Sequence, residues 1–140
     1  MKLRQILNYK GNKVHTITKH ATLQDVINGL IKNNCGSLVV LHKEKMCGIV
    51  TERDILRAAA QGSPLSTSRV EHSMTADLIV GSPQESINTA MGLMTDHRIR
   101  HLPVVEQDRL IGIISIGDVV KAQHAQLSME NHYLKNYIQN

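Results

Sequence analysis

Apolar residues recur along two stretches of the chain with the spacing of a single helix face. The first stretch follows Thr22 and has apolar residues at i, i+3, i+4, i+7 and i+8: Leu23, Val26, Ile27, Leu30 and Ile31. The second follows Ser86 and repeats the spacing at Ile87, Ala90, Met91 and Met94. This pattern is typical of an amphipathic helix that packs on a core. It predicts two helices, opened by Thr22 and Ser86.

Each of these helices is followed by two short β-branched runs with a polar turn between them. The runs are residues 38–41 and 47–50 in the first case, and 102–105 and 110–114 in the second. Such pairs are typical of neighbouring strands. A further strand is predicted at 14–17, and further helices at 52–60 and 116–123. The predicted order is strand, helix, strand, strand, helix.

The chain contains two copies of this unit. A shift of 64 positions aligns residues 14–58 with 78–122 without a gap. The lead-ins 3–7 and 70–74 correspond at a shift of 67, so the first copy has three extra residues around 9–13. A unit of about 50 residues buries too little apolar surface to be stable alone. We therefore expect an α/β (α+β) fold in which two βαββα units, each a three-stranded sheet flanked by helices, pack with pseudo-twofold symmetry.

These patterns set the predicted domain boundaries. The first unit spans 1–62, a linker rich in Gly, Pro and Ser spans 63–69, and the second unit spans 70–126. The tail, 127–140, has helical spacing at Leu127, Leu134 and Ile138. Its apolar face could cover either the edge of the core or a second chain.

Composition narrows the classes of function. The chain has 140 residues with three Tyr and neither Phe nor Trp, which disfavours surfaces that stack exposed bases. With no helix-turn-helix pattern either, nucleic acid is not an expected partner. No apolar run approaches the length of about 18 residues that a bilayer requires, and the first five residues are too polar for a signal peptide. We expect a cytoplasmic protein with no membrane partner.

Charge and reactive residues add little chemistry. Residues 1–69 carry 11 − 4 = +7 and residues 70–140 carry 5 − 8 = −3, which indicates either an anionic partner near the first half or simple charge drift. Cys35 and Cys47 are expected to be buried free thiols. His97 and His101 are four apart, but His101 is predicted beyond the helix end, so no metal site is expected. No base or nucleophile is evident, and we expect no enzymatic activity.

Two polar pairs lie where a buried strand is predicted to meet a helix: Thr51 with Asp54, and Ser115 with Asp118. One interpretation is a capping box, in which hydroxyl and carboxylate satisfy the free backbone N–H groups of the helix. The other is ligand binding, because a helix N-terminus suits a phosphate and a neighbouring carboxylate can accept both hydrogen bonds of a ribose diol. Gly48 and Gly112 precede the two pairs and would let a ligand approach the backbone.

The second copy adds positive charge at Arg98, Arg100 and His101, before a strand that continues into Pro103. Arg offers a bidentate fork to phosphate. The alternative is a solvated helix C-terminus, where cations complement the helix dipole. The first copy has residues 33–37, Asn-Asn-Cys-Gly-Ser, at this place, so the two pockets are expected to bind unequally.

The doubled Gly-x-x-Thr/Ser-x-x-Asp ends and the Arg-His-Leu-Pro-Val-Val strand resemble tandem cystathionine β-synthase-type (CBS) domains, the Bateman modules, of the stand-alone type. The resemblance covers residue 3 to about 123. It implies a regulatory module that binds AMP, ADP, ATP, NAD or S-adenosylmethionine in clefts between the units, with no catalytic cofactor. The residues it assigns to nucleotide binding are Thr51, Arg53, Asp54, Ile99, Arg100, His101, Pro103, Ser115 and Asp118.

The resemblance also implies disc-like homodimers and an unidentified target protein that reads the bound state. The resulting hypothesis is a non-catalytic adenine-nucleotide sensor for signal transduction. The alternative hypothesis is a constitutive interaction or scaffold protein whose clefts are structural and whose capping boxes only hold helices.

Overall fold

The computed structural model describes residues 1–139 as a mixed α+β protein, which confirms the predicted fold class. Its helices are α1 (Leu3–Lys10), α2 (Leu23–Asn33), α3 (Glu52–Ala60), α4 (Ile87–Asp96) and α5 (Ile116–Gln139), with a 3-10 turn at Val70–His72. Its strands are β1 (Thr16–Thr18), β2 (Ser37–His42), β3 (Lys45–Thr51), β4 (His101–Glu106) and β5 (Arg109–Ser115). Of the helices within residues 1–139, none combines the length and apolar character that crossing a bilayer demands.

The chain forms two compact units whose composition differs from the predicted boundaries. One, the continuous unit, is residues 13–78, and the other, the split unit, joins residues 1–12 to residues 79–139. The predicted division at 1–62, 63–69, 70–126 and 127–140 follows the sequence repeat. The compact units instead group the first lead-in with the second repeat, and they group residues 63–78 with the first repeat.

The continuous unit is built on the three-stranded sheet β1-β2-β3, in which β1 is parallel and β3 antiparallel to β2. The helix α2 begins after Thr22, whose hydroxyl accepts a hydrogen bond from the Asp25 backbone while the Asp25 carboxylate accepts one from the Thr22 backbone. The periodic face of α2 and residues of β2 and β3 form one apolar core with one residue each from α3 and the 3-10 turn. Its members are Leu23, Val26, Leu30, Leu38, Val40, Val50, Ala58 and Val70.

The split unit repeats this arrangement with one strand fewer. Its sheet contains only β4 and β5, so the prediction of two three-stranded sheets is wrong for this unit. The missing strand is reduced to a parallel bridge between Gly81 and Val104, which aligns with the pairing of Ile17 and Val40 in the continuous unit. Gly81 and Pro83 account for the loss, because glycine weakens strands and proline cannot donate to the ladder.

Each lead-in packs on the repeat to which it does not belong. Leu3, Ile6 and Leu7 of α1 are buried in the core of the split unit, and Val70 of the second lead-in is buried in the core of the continuous unit. The backbone pairings match as well, since Lys2 bridges Ser86 and Arg69 bridges Thr22. The two lead-ins are therefore exchanged reciprocally between the repeats.

Gly48 and Gly112 are the points of closest contact in this exchange. A Cβ at Gly48 would lie 2.5 Å from Met74 Sδ and 3.0 Å from the Thr75 carbonyl oxygen, and one at Gly112 would lie 2.5 Å from Leu7 Cδ2. Both glycines thus leave room for the protein's own core. The idea that they admit a ligand to the backbone is wrong, because Met74 and Leu7 fill that space.

The helix α5 runs without a break across the predicted boundary at residue 126. Its first turns pack on the split unit through Val119 and Ala122, whereas residues 124–139 are all exposed. Residues 127–138 do form a helix, as their spacing predicts. They do not cover the core of their own unit.

The glycine contacts predict opposite effects of two Gly→Ala substitutions. Gly48→Ala should lower the free energy of unfolding by about 1–3 kcal/mol, because the added methyl meets the Thr75 backbone. The matched control is Gly92→Ala in α4, where nothing lies within 4 Å, and it should raise stability by about 0.5–1 kcal/mol. Urea unfolding measures both. A Gly48→Ala protein as stable as the wild type would contradict the packing described here.

Candidate functional site

The first predicted pair, Thr51 and Asp54, lies where β3 ends and α3 begins. Asp54 Oδ2 accepts hydrogen bonds from the Thr51 backbone at 2.9 Å and from the Thr51 hydroxyl at 3.2 Å, and Thr51 Oγ1 faces the Asp54 N–H at 3.4 Å. Asp54 Oδ1 faces Arg57 at 3.5 Å. The capping box is therefore present, on a carboxylate that is almost wholly buried.

The second pair, Ser115 and Asp118, repeats this geometry between β5 and α5. Asp118 Oδ2 accepts a hydrogen bond from the Ser115 backbone at 2.8 Å, and Ser115 Oγ accepts one from the Asp118 backbone at 3.1 Å. Capping is confirmed for both pairs. It does not exclude ligand binding, because a carboxylate has about four lone-pair positions and capping uses only part of them.

Strand pairing brings the positively charged segment to the same place. His101 pairs in register with Ser115, and the Ile116 N–H donates to the Arg100 carbonyl oxygen at 2.9 Å. Arg100 and His101 therefore flank the start of α5, beside Ser115 and Asp118. The Arg100 side chain is exposed, Ile99 is half-buried against the core, and Pro103 is buried two residues along β4.

The continuous unit has the same backbone framework with different side chains. Ser37 pairs with Thr51, and the Glu52 N–H donates to the Gly36 carbonyl oxygen at 3.2 Å. Gly36 and Ser37 thus replace Arg100 and His101. The only predicted site cation here is Arg53, which is exposed in the first turn of α3.

Lys10, at the end of α1, is part of the split unit's junction and was not predicted. Its ammonium lies 2.7 Å from Asp118 Oδ2 and donates to the Ile113 carbonyl oxygen at 2.7 Å. The three extra residues of the first copy, around 9–13, mark where the two lead-ins differ. That insertion was the signal, but its importance depends on the exchange of lead-ins, which the repeat alone does not show.

Lys10 changes the electrostatics of Asp118. Burial alone would raise the pKa of Asp118, but the hydrogen bond from Lys10, the hydrogen bonds from Ser115 and the charge of Lys10 together hold this pKa below its usual value of 3.8. Asp118 is therefore ionised at neutral pH. The start of α5 combines one fixed carboxylate and one ammonium with the positive end of the helix dipole.

The remaining reactive residues form no further site. Cys35 and Cys47 are free and half-buried, and their thiols face the Ser37 and Val40 carbonyl oxygens at 3.4 Å. Across residues 1–139, no three His, Cys, Asp or Glu side chains gather as a metal site would require.

Comparison with known proteins identifies the repeat. The model of the CBS domain matches residues 8–61 and 68–125. A mitochondrial CBS domain-containing protein of Arabidopsis thaliana is 39% identical over 128 residues, which cover 87% of this chain and 62% of that protein. The chain therefore spans under two thirds of that relative's length.

Two solved structures are similar throughout. A CBS-domain protein from Burkholderia ambifaria has 40% identity and a TM-score of 0.86, covering 89% of this chain and 95% of that one. A CBS domain protein from Pyrobaculum aerophilum, complexed with AMP, has 28% identity and a TM-score of 0.76, covering 84% and 89%. With two domain matches over most of its length and the strand-to-helix junctions described above, this chain belongs to the CBS domain family as a tandem pair.

Proposed function

We propose that this protein is a non-catalytic sensor of adenine nucleotides, with its principal site at the split unit's junction. The observation that carries the proposal is the convergence of Asp118, Ser115, Arg100 and His101 on the N-terminus of α5. The Pyrobaculum relative complexed with AMP supports the ligand class. ADP, ATP and NAD share the same ribose and phosphate chemistry and are further candidates, and S-adenosylmethionine shares the ribose.

The groups at this junction match the parts of a nucleotide. An ionised carboxylate can accept both hydroxyl hydrogens of a ribose, and Asp118 is held in that form. The positive end of the α5 dipole and the exposed Arg100 guanidinium suit a phosphate. The half-buried Ile99 supplies apolar surface for an adenine ring, a role for which Phe and Trp are not required, whereas Pro103 is buried and offers little.

Lys10 sets a condition on binding. Its ammonium occupies Asp118 Oδ2 at 2.7 Å, so a ribose at this carboxylate either displaces Lys10 or binds beside it. A displaced Lys10 would lie near the phosphate-binding groups, where its charge favours a phosphorylated ligand over adenosine. We infer that Lys10 couples the position of α1 to the occupancy of the site.

The junction of the continuous unit is proposed as the weaker site. Thr51, Arg53 and Asp54 repeat the ribose-binding group, but Asp54 is almost wholly buried and Gly36 replaces Arg100. Less of the carboxylate is accessible and one cation is absent from the aligned position. Nucleotide should therefore fill the split unit's junction first.

Regulation then follows from differential affinity. A ligand shifts a protein between two states only if it binds one of them better. We propose that nucleotide occupancy favours one position of α1, and that a target protein reads this state in the cytoplasm, with the protein acting as a homodimer.

The second candidate function is a constitutive scaffold. It is favoured by the internal contacts of the junctions, since both capping boxes are formed and Lys10 neutralises Asp118. The effect of nucleotide on stability distinguishes a scaffold from a sensor, because a scaffold gains no stability from nucleotide.

Nucleotide should raise the melting temperature, and the effect should depend on Asp118. At 100 times its dissociation constant, AMP adds about 2.7 kcal/mol to the free energy of unfolding. Asp118→Ala should abolish this gain. Asp25→Ala is the matched control, because it removes an equivalent capping box at α2 and should cost similar apo stability, about 1 kcal/mol, while keeping the response to AMP.

Differential scanning fluorimetry with AMP, ADP, ATP, NAD and S-adenosylmethionine measures this response. If none of them shifts the wild-type melt, the scaffold is correct and the sensor is wrong. An Asp118→Ala protein that still responds fully to AMP would remove Asp118 from the site.

Arg100→Ala should weaken AMP more than adenosine. A charged hydrogen bond to phosphate contributes about 1.5–3 kcal/mol, so the AMP affinity should fall roughly 10- to 100-fold while adenosine binding changes little. Arg109→Ala, at the far end of the same strand pair, serves as the charge-matched control. Calorimetric titration gives both affinities. Equal losses for AMP and adenosine would contradict the phosphate role.

Lys10→Met should raise the pKa of Asp118, because it removes the hydrogen bond and charge that lower it while burial remains. Because the wild-type folded pKa lies below the unfolded value of 3.8, the stabilisation from Asp118 is present above pH 3.8 and is lost as pH falls through the folded value. Lys10→Met should therefore reduce stability at pH 7 and approach the wild type at strongly acidic pH.

Carbon-13 titration of the Asp118 carboxyl and urea unfolding at several pH values measure this effect. Lys13→Met changes an exposed lysine three residues after Lys10 and should leave the pKa of Asp118 unchanged. An unchanged pKa in Lys10→Met would show that the ion pair does not form in solution.

A further inference from the structure

The C-terminal part of α5 extends beyond the packed unit. Every residue from 124 to 139 is exposed, a length of about 24 Å at 1.5 Å per residue. The family match ends at residue 125, so all but the first two residues of this segment lie outside the repeated domain. Most helical stability in proteins comes from packing of an apolar face, and this segment has no such packing within its own unit.

The exposed segment carries a regular apolar stripe. Steps of four and three residues alternate along one side of α5, through Val120, His124, Leu127, Asn131, Leu134 and Ile138. The four apolar members are 54–80% exposed. In the heptad convention Leu127 and Leu134 occupy d positions, and Asn131 and Ile138 occupy a positions. We call this set the α5 seam.

We propose that the α5 seam pairs with the same seam of a second copy of this chain, as a short parallel coiled coil in register. Leu at d with β-branched Ile at a is the combination that favours two parallel strands. A single Asn at an a position favours this state further, because in a parallel pair in register Asn131 meets Asn131 of the other copy and the two amides satisfy each other.

The charged residues beside the α5 seam also favour a second copy of this chain, in parallel orientation. Glu130 is at a g position and Lys135 is at the following e position, and these positions face each other across a parallel two-stranded coil. Glu130 of each copy would thus lie against Lys135 of the other, giving two interhelical ion pairs. An antiparallel pairing would instead place g beside g and e beside e, bringing like charges together.

Side chains on the other side of α5 provide the control. Met129 and Tyr133 are also exposed, at 73% and 72%, but they fall on f and c positions away from the seam. Exposure alone therefore does not identify which side of α5 contacts the second copy. The heptad register predicts that Leu127 and Leu134 are buried in the dimer and that Met129 and Tyr133 are not.

Disulfide trapping of the full chain tests the proposal. Leu127→Cys and Leu134→Cys should each form a disulfide between identical positions of two copies under mild oxidation, identified by mass spectrometry of non-reduced peptides. Tyr133→Cys, the control, should form at least about tenfold less. Trapping at both seam positions requires a parallel pair in register, since in an antiparallel pair identical residues meet only near one level.

Trapping at neither position, at only one, or equally at position 133 would overturn the proposal. A charge exchange tests it without altering the apolar seam. Glu130→Lys should weaken dimerisation in sedimentation equilibrium by about fivefold or more, and Glu130→Lys with Lys135→Glu should restore it. Failure of the double variant to recover, or no effect of the single one, would contradict the parallel ion pairs.

Discussion

The packing of each lead-in against a glycine of the other repeat is the constraint on which the rest of the structure depends. Leu7 fills the space above Gly112, and Met74 fills the space above Gly48. A Cβ at either glycine would force the side chain above it to move, and at Gly48 it would also meet the Thr75 backbone. Since neither repeat has a complete core without the lead-in of the other, the two repeats fold as partners rather than as independent domains.

This exchange also determines the chemistry of the split unit's junction. It seats α1 on the core beneath β5, and the last residue of α1, Lys10, thereby reaches Asp118. The second lead-in is three residues shorter in the region of Lys10, and Asp54 has Arg57 of its own helix as its ion-pair partner. Two junctions with nearly the same backbone therefore differ in charge, accessibility and connection to the rest of the unit.

Capping and the proposed binding use the same carboxylates at these junctions. A capping box orders the start of a helix, and the ordered start holds the carboxylate in a fixed position beside the positive end of the helix dipole. The carboxylate is thus preorganised and little rearrangement of the helix is needed on binding. Where Lys10 also contacts the carboxylate, a bound ribose that displaced Lys10 would rearrange a contact of α1, which would give the proposed ligand a means of changing the protein's state.

Much of this fold could be predicted from local sequence patterns, whereas the features that depend on non-local contacts could not. The bounds of α3 and the start of α5 follow from capping residues beside a β-branched run, and the structure places them at Glu52–Ala60 and at Ile116 as predicted. The repeat and the junction pairs were equally visible. The continuation of α5 past residue 123 follows from the absence of Gly or Pro in the residues after it. The apolar spacing predicted a helical tail but did not predict that the tail is continuous with the helix that begins at Ile116.

The exchange of lead-ins and the role of Lys10 depend on which surfaces meet in space, and no spacing within one segment encodes that. The two-stranded sheet of the split unit has a local cause, Gly81 and Pro83, which the alignment with the first repeat concealed. The residue types at the two junctions could thus be identified in the sequence. The difference between the two junctions could be predicted only in part, because Lys10 was not foreseen.

A nuclear magnetic resonance titration of the backbone amides with AMP distinguishes a nucleotide site at the split unit's junction from a purely structural junction. If AMP binds there, saturable shifts should occur at residues 115–118 and at Lys10, with smaller changes at residues 51–54 at higher concentration. Saturable binding that leaves residues 115–118 and Lys10 unchanged, or no binding at millimolar AMP, would contradict a nucleotide site at this junction.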